Sequence, residues 1–81
     1  MELSETLRRI RMVELGKEAA DRATLEQRHG QVWGPVELRR DFKVISFLAP
    51  FAVVRRQTDG MLGSLEFQPS PRFYFNWKED R

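Results

Sequence analysis

The stretch FAVVRRQTDGMLGSLEF, residues 51–67, decides the fold of this 81-residue chain. It contains two runs rich in branched aliphatic and aromatic residues, and Asp59-Gly60 stands between them. Asp-Gly in that position is a strong signal for a β-hairpin, because both central residues of a type I′ turn need a positive φ. We therefore expect two antiparallel strands joined by a two-residue loop.

The length of this loop sets which side chains share a face of the hairpin. A two-residue loop pairs Val54 with Leu65 and separates a buried face from an exposed one. A three- or four-residue loop would shift the register by one residue and turn Arg55 inward without a partner, so we expect the two-residue loop. The face that the helix should cover then carries Ala52, Val54, Leu65 and Phe67. The opposite face carries Val53, Arg55, Ser64 and Glu66.

Two further segments extend this sheet. Residues 42–48, FKVISFL, are rich in β-branched and aromatic residues and predict a strand with one face well buried. Residues 72–77, RFYFNW, alternate along a final strand. Its core face should carry Phe73, Phe75 and Trp77, and its other face Arg72, Tyr74 and Asn76. Residues 42–77 therefore predict a four-stranded antiparallel meander, and residues 78–81 predict a solvated, charged tail.

The first 32 residues contain no proline and none of the nine aromatic residues of the chain. They predict a long helix over residues 1–30, and His29-Gly30 supplies its stop, because glycine suits the left-handed position after a helix end. Four apolar residues recur at spacings of four, three and three, which places them on one helical face. These residues are Leu3, Leu7, Ile10 and Val13.

A short second helix is predicted over residues 34–41. Gly34-Pro35 opens it, because proline at the first helical position has its φ already set. Trp33, just before this helix, is expected in the core. The predicted fold class is α+β, with a long N-terminal helix and a short second helix packed on the antiparallel meander, in a single domain of residues 1–81.

The long helix should overhang the sheet. About 26 residues at a rise of 1.5 Å span roughly 39 Å, which exceeds the length of strands of six or seven residues. Two outcomes are open: the helix breaks near Gly16 and folds back over its own sheet, or it stays straight and pairs with a partner chain, which we favour. The partner-binding surface for another protein or a second copy is then the exposed apolar stripe of Leu3, Leu7, Ile10 and Val13.

No motif of catalysis or metal binding stands out. The chain has no cysteine, and its single histidine, His29, is expected at a helix end. It contains no glycine loop for phosphate, no nucleophile elbow and no ligand set for zinc or calcium. We therefore expect no enzyme, no cofactor and no metal. The acidic N-terminus and the short apolar runs argue against a signal peptide and a membrane span, so the expected location is the cytoplasm.

Nucleic acid is the alternative partner. The net charge of +2 is modest, and the basic residues are spread along the chain. A solvent-facing side of the sheet would nevertheless combine phosphate-pairing arginines with one aromatic ring, as in proteins that bind single strands. The candidate residues for this interface are Arg55, Arg56, Arg72 and Tyr74.

A block of residues in the second half resembles short uncharacterised proteins of bacteria and their phages. The block is APF-x-VVRR-x-x-DG-x-x-GSLEF-x-x-x-PRFYF, from Ala49 to Phe75, and the resemblance covers roughly Asp41 to Trp77. That family has no assigned activity, so the resemblance implies no site and no mechanism, only a small accessory protein of a phage or mobile element. The sequence as a whole predicts a non-enzymatic protein-binding or regulatory module, with single-stranded nucleic-acid binding as the alternative.

Overall fold

The computed structural model describes residues 4–80 and has an α+β architecture with an antiparallel sheet, as predicted. Its helices are α1 (Glu5–Glu18), α2 (Arg22–His29) and α3 (Pro35–Asp41). Its strands are β1 (Val32–Trp33), β2 (Phe42–Leu48), β3 (Phe51–Arg56), β4 (Leu62–Pro69) and β5 (Arg72–Glu79). The strand order is β1-β5-β4-β3-β2. The described part of the chain thus has three helices and five strands, where the sequence predicts two and four.

The additional strand is β1. The sequence pattern did not predict it, because a strand of two residues is too short to show an alternation of buried and exposed side chains. Val32 pairs with Phe75, and Trp33 pairs with Tyr74. Both β1 side chains are buried, and Trp33 Nε1 donates a hydrogen bond to Asp41 Oδ2 at 3.0 Å. Trp33 is therefore a core residue, as expected.

The helix predicted over residues 1–30 is two helices in the structure. The break covers residues 19–21, and Gly16 lies inside α1. Asp21 is the N-cap of α2, where its carboxylate accepts a hydrogen bond from the backbone N of Thr24 at 2.9 Å. The prediction of one long straight helix is therefore wrong. The alternative, a helix that breaks and folds back over its own sheet, is what the structure shows, but the break lies three residues after Gly16.

A buried side chain of the sheet forms hydrogen bonds with the segment between α1 and α2. Gln68 Nε2 donates to the carbonyl oxygens of Ala20 and Pro71, both at 2.8 Å, and Gln68 Oε1 accepts from the backbone N of Ala20 at 3.1 Å. A helix break removes backbone hydrogen bonds, and a buried backbone group without a partner is costly. Gln68 replaces the bonds that the backbone of Ala20 loses, so the turn between α1 and α2 is fixed to β4.

The β3–β4 hairpin forms where it was predicted, but with a longer loop. Arg56 N donates to Met61 O at 2.8 Å, so the loop has four residues rather than two. Val54 accordingly pairs with Gly63 instead of Leu65, which is a shift of two residues from the predicted register. Because side chains alternate with a period of two, a shift of two keeps the predicted grouping of side chains on two faces, and, contrary to the prediction, the four-residue loop does not turn Arg55 inward. The prediction that the long helix covers the face with Ala52 and Val54 is wrong, because α3 packs there and α1 and α2 pack on the opposite face.

β5 does not alternate along its whole length. The pairing of β4 with β5 skips an additional residue of β5 after Phe75. Asn76 forms this bulge with a φ of 55°, a backbone conformation that asparagine adopts more readily than most residues. Trp77 consequently packs with Tyr74, and not with Phe73 and Phe75 as predicted.

The sheet carries a hydrophobic core on each face. The larger core, on what we call the α3 face, contains Trp33, Leu38, Phe42, Ala52, Val54, Leu65, Phe67 and Tyr74. The smaller core, on what we call the α1/α2 face, contains Leu15, Leu25, Val32 and Phe75. Tyr74 is only 4% exposed. Its predicted solvent-facing position is wrong, because helices cover both faces of β5.

The outer parts of the sheet also depart from the prediction. β2 has the predicted bounds, but it is an edge strand and most of its side chains are exposed, including Ile45 and Phe47. The prediction that one of its faces is well buried is therefore wrong. At the other end of the chain, Lys78 and Glu79 belong to β5, so the solvated tail predicted from residue 78 is wrong as well.

Candidate functional site

The outward side of α1 is apolar. Leu7, Ile10 and Val13 are 56%, 52% and 58% exposed, respectively. Their spacing of three residues puts them on one side of the helix. Leu3, the fourth residue of the predicted surface, lies outside the described residues. We call Leu7, Ile10 and Val13 the outward stripe.

The side of α1 that faces the sheet is mostly polar. Arg11 Nε donates to Glu66 Oε2 of β4, and Arg11 Nη1 donates to Glu14 Oε2 at 2.9 Å. Leu15 is the apolar residue that α1 adds to the smaller core. Arg8 lies on the same side, and its Nε is buried without a hydrogen-bond partner. α1 is therefore inverted relative to most surface helices, which turn their apolar stripe to the core.

Contacts with the sheet hold α1 in this orientation. The carboxylate of Glu66 accepts from Arg11 and also from Asn76 Nδ2, the latter at 2.9 Å. Leu15 is buried, and Gln68 fixes the turn that follows the helix. Rotating α1 to bring the outward stripe onto the sheet would break a half-buried ion pair and expose Leu15. Both changes are unfavourable, so the stripe stays in solvent.

Arg55 and Arg56 of the predicted nucleic-acid interface lie at the hairpin end of the sheet. Arg56 forms ion pairs with Asp59 at 2.6 Å and with Glu79 at 3.3 Å. Arg55 is exposed and donates to the carbonyl oxygen of Gly60 at 2.8 Å. Because two carboxylates already balance Arg56, Arg55 is the better placed of the two to meet a phosphate.

Arg72 and Tyr74 lie toward the opposite end of the sheet. Arg72 pairs with Pro69, and Arg55 pairs with Leu62, at the two ends of β4. Seven residues of strand at about 3.3 Å each separate these ends by roughly 23 Å. The hydroxyl of Tyr74 accepts from Arg72 Nη1 at 3.2 Å, and the Tyr74 ring is buried. The four predicted residues therefore do not form one surface, and their aromatic ring is not free for stacking.

Across residues 4–80, no group of three or more His, Cys, Asp or Glu side chains is placed to hold a metal ion. His29 is the last residue of α2, and its ring stacks on Phe75 with 4.4 Å between centroids. Among the helices of the same range, none is long and apolar enough to cross a membrane.

Sequence reasoning missed the residues that set the direction of α1. Arg11 and Glu66 are 55 positions apart in the chain, and no local spacing rule predicts such a pair. Gln68 lies in a strand and gives no sign of a role at a helix break. The signal that was readable is Asp21, because aspartate directly before good helix formers, here Arg22 and Ala23, is a common helix start.

Comparison with family models, with curated proteins and with solved structures finds no match for this chain. Function is therefore inferred from the geometry above, and the resemblance of residues 41–77 to bacterial and phage proteins stays a prediction.

Proposed function

We propose that this protein is a small, non-enzymatic accessory module of the cytoplasm that binds another protein chain through the outward stripe of α1. The observation that supports this is the orientation of the helix, with arginines toward the sheet and the apolar stripe toward solvent. A contiguous apolar surface that the chain does not cover itself is typical of an association site. The polar contacts of Arg11 keep that surface presented.

Burial of the outward stripe by a partner contributes favourably to the free energy of binding. Full burial of a Leu, Ile or Val side chain contributes about 1.5–3 kcal/mol. Each residue of the stripe is more than half exposed, so a partner gains about 1 kcal/mol from each of them. Contacts of this size favour a weak complex that depends on concentration.

The partner that the stripe itself fits is a second copy of this chain. Leu7 and Val13 lie three residues before and three residues after Ile10, so the stripe is symmetric about Ile10. A two-fold axis at that residue places two α1 helices antiparallel, with Leu7 of one chain against Val13 of the other. Two-fold dimers need such a self-complementary surface. Both stripes are then covered, which doubles the gain.

Sedimentation velocity over a wide concentration range tests this proposal. We expect the chain to change from monomer to dimer, and Ile10→Gln to shift that change to at least tenfold higher concentration. Val36→Gln is the matched control, because Val36 is an exposed aliphatic residue on α3, outside the stripe, and it should leave the association unchanged. The circular dichroism of both variants should equal that of the wild type.

A wild-type chain that stays monomeric would exclude the second copy as partner. Capture of a partner from the native host, with Ile10→Gln as the negative bait, then decides between another protein and no partner. A partner held equally by both baits would show that the outward stripe is not the contact surface.

Single-stranded nucleic acid has less support as a partner. Its predicted interface is split between two ends of the sheet, and Tyr74 is buried. The prediction is tested by binding of a short oligonucleotide at low salt, followed by Arg55→Ala and Arg72→Ala. Since the two arginines are roughly 23 Å apart along the strands, binding that both substitutions weaken would require a strand long enough to reach both.

A further inference from the structure

A cavity lies between α1 and the sheet, on a different side of α1 from Ile10. Its volume is about 580 Å³, which is in the usual range for small-molecule sites. Met12, Leu15 and Gly16 of α1 form one wall, and Phe47 and Phe67 of the sheet form the other. Met12 follows Ile10 by two residues, or about 200° around the helix. The cavity is therefore distinct from the outward stripe.

The walls of the cavity are apolar and partly open to solvent. Met12 and Phe47 are both about half exposed. The ring of Phe47 packs edge-on against Phe67 at 5.6 Å between centroids, which holds that wall in place. Gly16 leaves the space unfilled, because a Cβ there would meet no atom within 4 Å. Such walls favour an aliphatic occupant, since hydrated apolar surface is removed from water when the occupant binds.

One charged side chain lines the cavity. The guanidinium of Arg72 lies over the Phe67 ring at 4.6 Å from its centroid, and Arg72 Nη1 donates to the Tyr74 hydroxyl at 3.2 Å. These two contacts orient the guanidinium. Among the side chains that the structure describes, which do not include that of Glu18, no carboxylate forms an ion pair with Arg72. An oriented guanidinium without an acidic partner is well suited to accept a carboxylate through paired hydrogen bonds.

We propose that this cavity binds an aliphatic carboxylate of the fatty-acid class. The chain of the ligand lies between Met12 of α1 and Phe47 of β2, and its carboxylate pairs with Arg72. The match has two parts, apolar walls for the chain and an unpaired cation for the head group. It does not depend on the function proposed for the outward stripe.

The test uses octanoate and decanoate as probes and NMR spectra of the full chain. We expect shifts at the Met12 methyl and the Gly16 amide that saturate with ligand. Each added methylene should tighten binding by up to about fourfold until the cavity is filled. Octanol has the same chain without the charge, and it should bind at least about tenfold more weakly than octanoate.

Two variants separate the two parts of the match. Arg72→Gln should weaken octanoate about tenfold or more and leave octanol unchanged. Arg55→Gln is the matched control, because Arg55 is an exposed arginine at the other end of the sheet, and it should leave both probes unchanged. Gly16→Leu should abolish binding of both, because its side chain fills the cavity, and its thermal midpoint should equal or exceed that of the wild type.

Several outcomes would overturn the proposal. One is the absence of saturable shifts at Met12 and Gly16 with decanoate. Another is equal affinity for octanol and octanoate with no effect of Arg72→Gln, which would show that Arg72 does not recognise the carboxylate. A third is undiminished binding by a folded Gly16→Leu chain, which would place the ligand elsewhere. Dimer formation by α1 is measured separately, so failure here leaves the result for the outward stripe standing.

Discussion

The α3 face and the α1/α2 face of the sheet are built differently. On the α3 face, Leu38 enters a core that includes Trp33, Phe67 and Tyr74, and the helix follows directly into β2. On the α1/α2 face, α1 contributes Leu15 to a smaller core and otherwise holds the sheet through Arg11. The first face holds the larger core. On the second face, α1 leaves an apolar stripe in solvent, and its residues Met12, Leu15 and Gly16 meet Phe67 of the first face at the cavity.

This difference suggests that one face mainly stabilises the fold and that the other mainly presents a binding surface. A small domain has little core to spare, and here one face holds most of the large buried side chains. The other face can therefore leave apolar surface exposed at little cost to the stability of the fold. Both proposed sites, the outward stripe and the cavity, involve α1, which adds only Leu15 to the buried cores. Substitutions that compare the two faces test whether this division is real.

The largest expected effect comes from truncating a leucine on each face. Leu65 is fully buried in the larger core, and Leu65→Ala should lower the free energy of unfolding by about 2–5 kcal/mol. Leu15→Ala should cost less, about 2 kcal/mol, because Leu15 borders an existing cavity and its removal creates no new closed void. Urea unfolding measures both. Equal costs would mean that α1 is as integral to the fold as the α3 face.

Hydrogen exchange sharpens the same comparison. Leu15→Ala should speed exchange in the amides of α1 while those of β3 and β4 keep their protection, since local opening follows local packing. Leu65→Ala should speed exchange throughout the sheet.

Two glycines provide the next comparison. A Cβ at Gly63 would collide with the carbonyl oxygen of Lys78 and the ring of Trp77, beside the larger core. Gly63→Ala should therefore lower the free energy of unfolding by about 1–3 kcal/mol. A Cβ at Gly16 meets nothing within 4 Å, so Gly16→Ala should stabilise the chain by about 0.5–1 kcal/mol. Destabilisation by Gly16→Ala would contradict the open space beneath α1.

Local signals in the sequence predicted much of the fold. Gly34-Pro35 predicted a second helix where α3 lies, and Asp59-Gly60 predicted the hairpin between β3 and β4. The faces of that hairpin were right even though its loop is longer, because the shift is an even number of residues. Each of these features depends on neighbours within a few residues.

Features that depend on distant residues could not be predicted in this way. The break at residues 19–21 is stable because Gln68 supplies its hydrogen bonds. The burial of Tyr74 follows from a fifth strand, which the pattern did not show, and from the packing of α3 on the sheet face that carries Tyr74. The apolar stripe of α1 was readable from its spacing, but its outward direction was not, because that direction depends on the pairing of Arg11 with Glu66.

The smallest expected effect concerns the pH dependence of the two faces. The Arg56 side chain and the backbone N of Met61 donate to the Asp59 carboxylate and lower its pKa from 3.8 to about 2. A carboxyl whose pKa is lower in the folded state contributes stability above its unfolded pKa, and this contribution is lost as the pH falls from about 4 toward 2. Asp59→Asn should therefore reduce the fall of the thermal midpoint across that range.

Asp21→Asn is the matched control on the other face. Hydrogen bonds from Thr24 lower the pKa of Asp21 as well, and asparagine keeps the N-cap of α2. Because the charged Arg56 side chain donates to Asp59 whereas Asp21 accepts from Thr24, Asp59→Asn should remove more of the acid sensitivity than Asp21→Asn. Arg56, the main cause of that shift, lies over the Trp77 ring beside the larger core. Acid should therefore loosen the hairpin end of the α3 face before the N-terminus of α2, and a larger effect of Asp21→Asn would reverse that order.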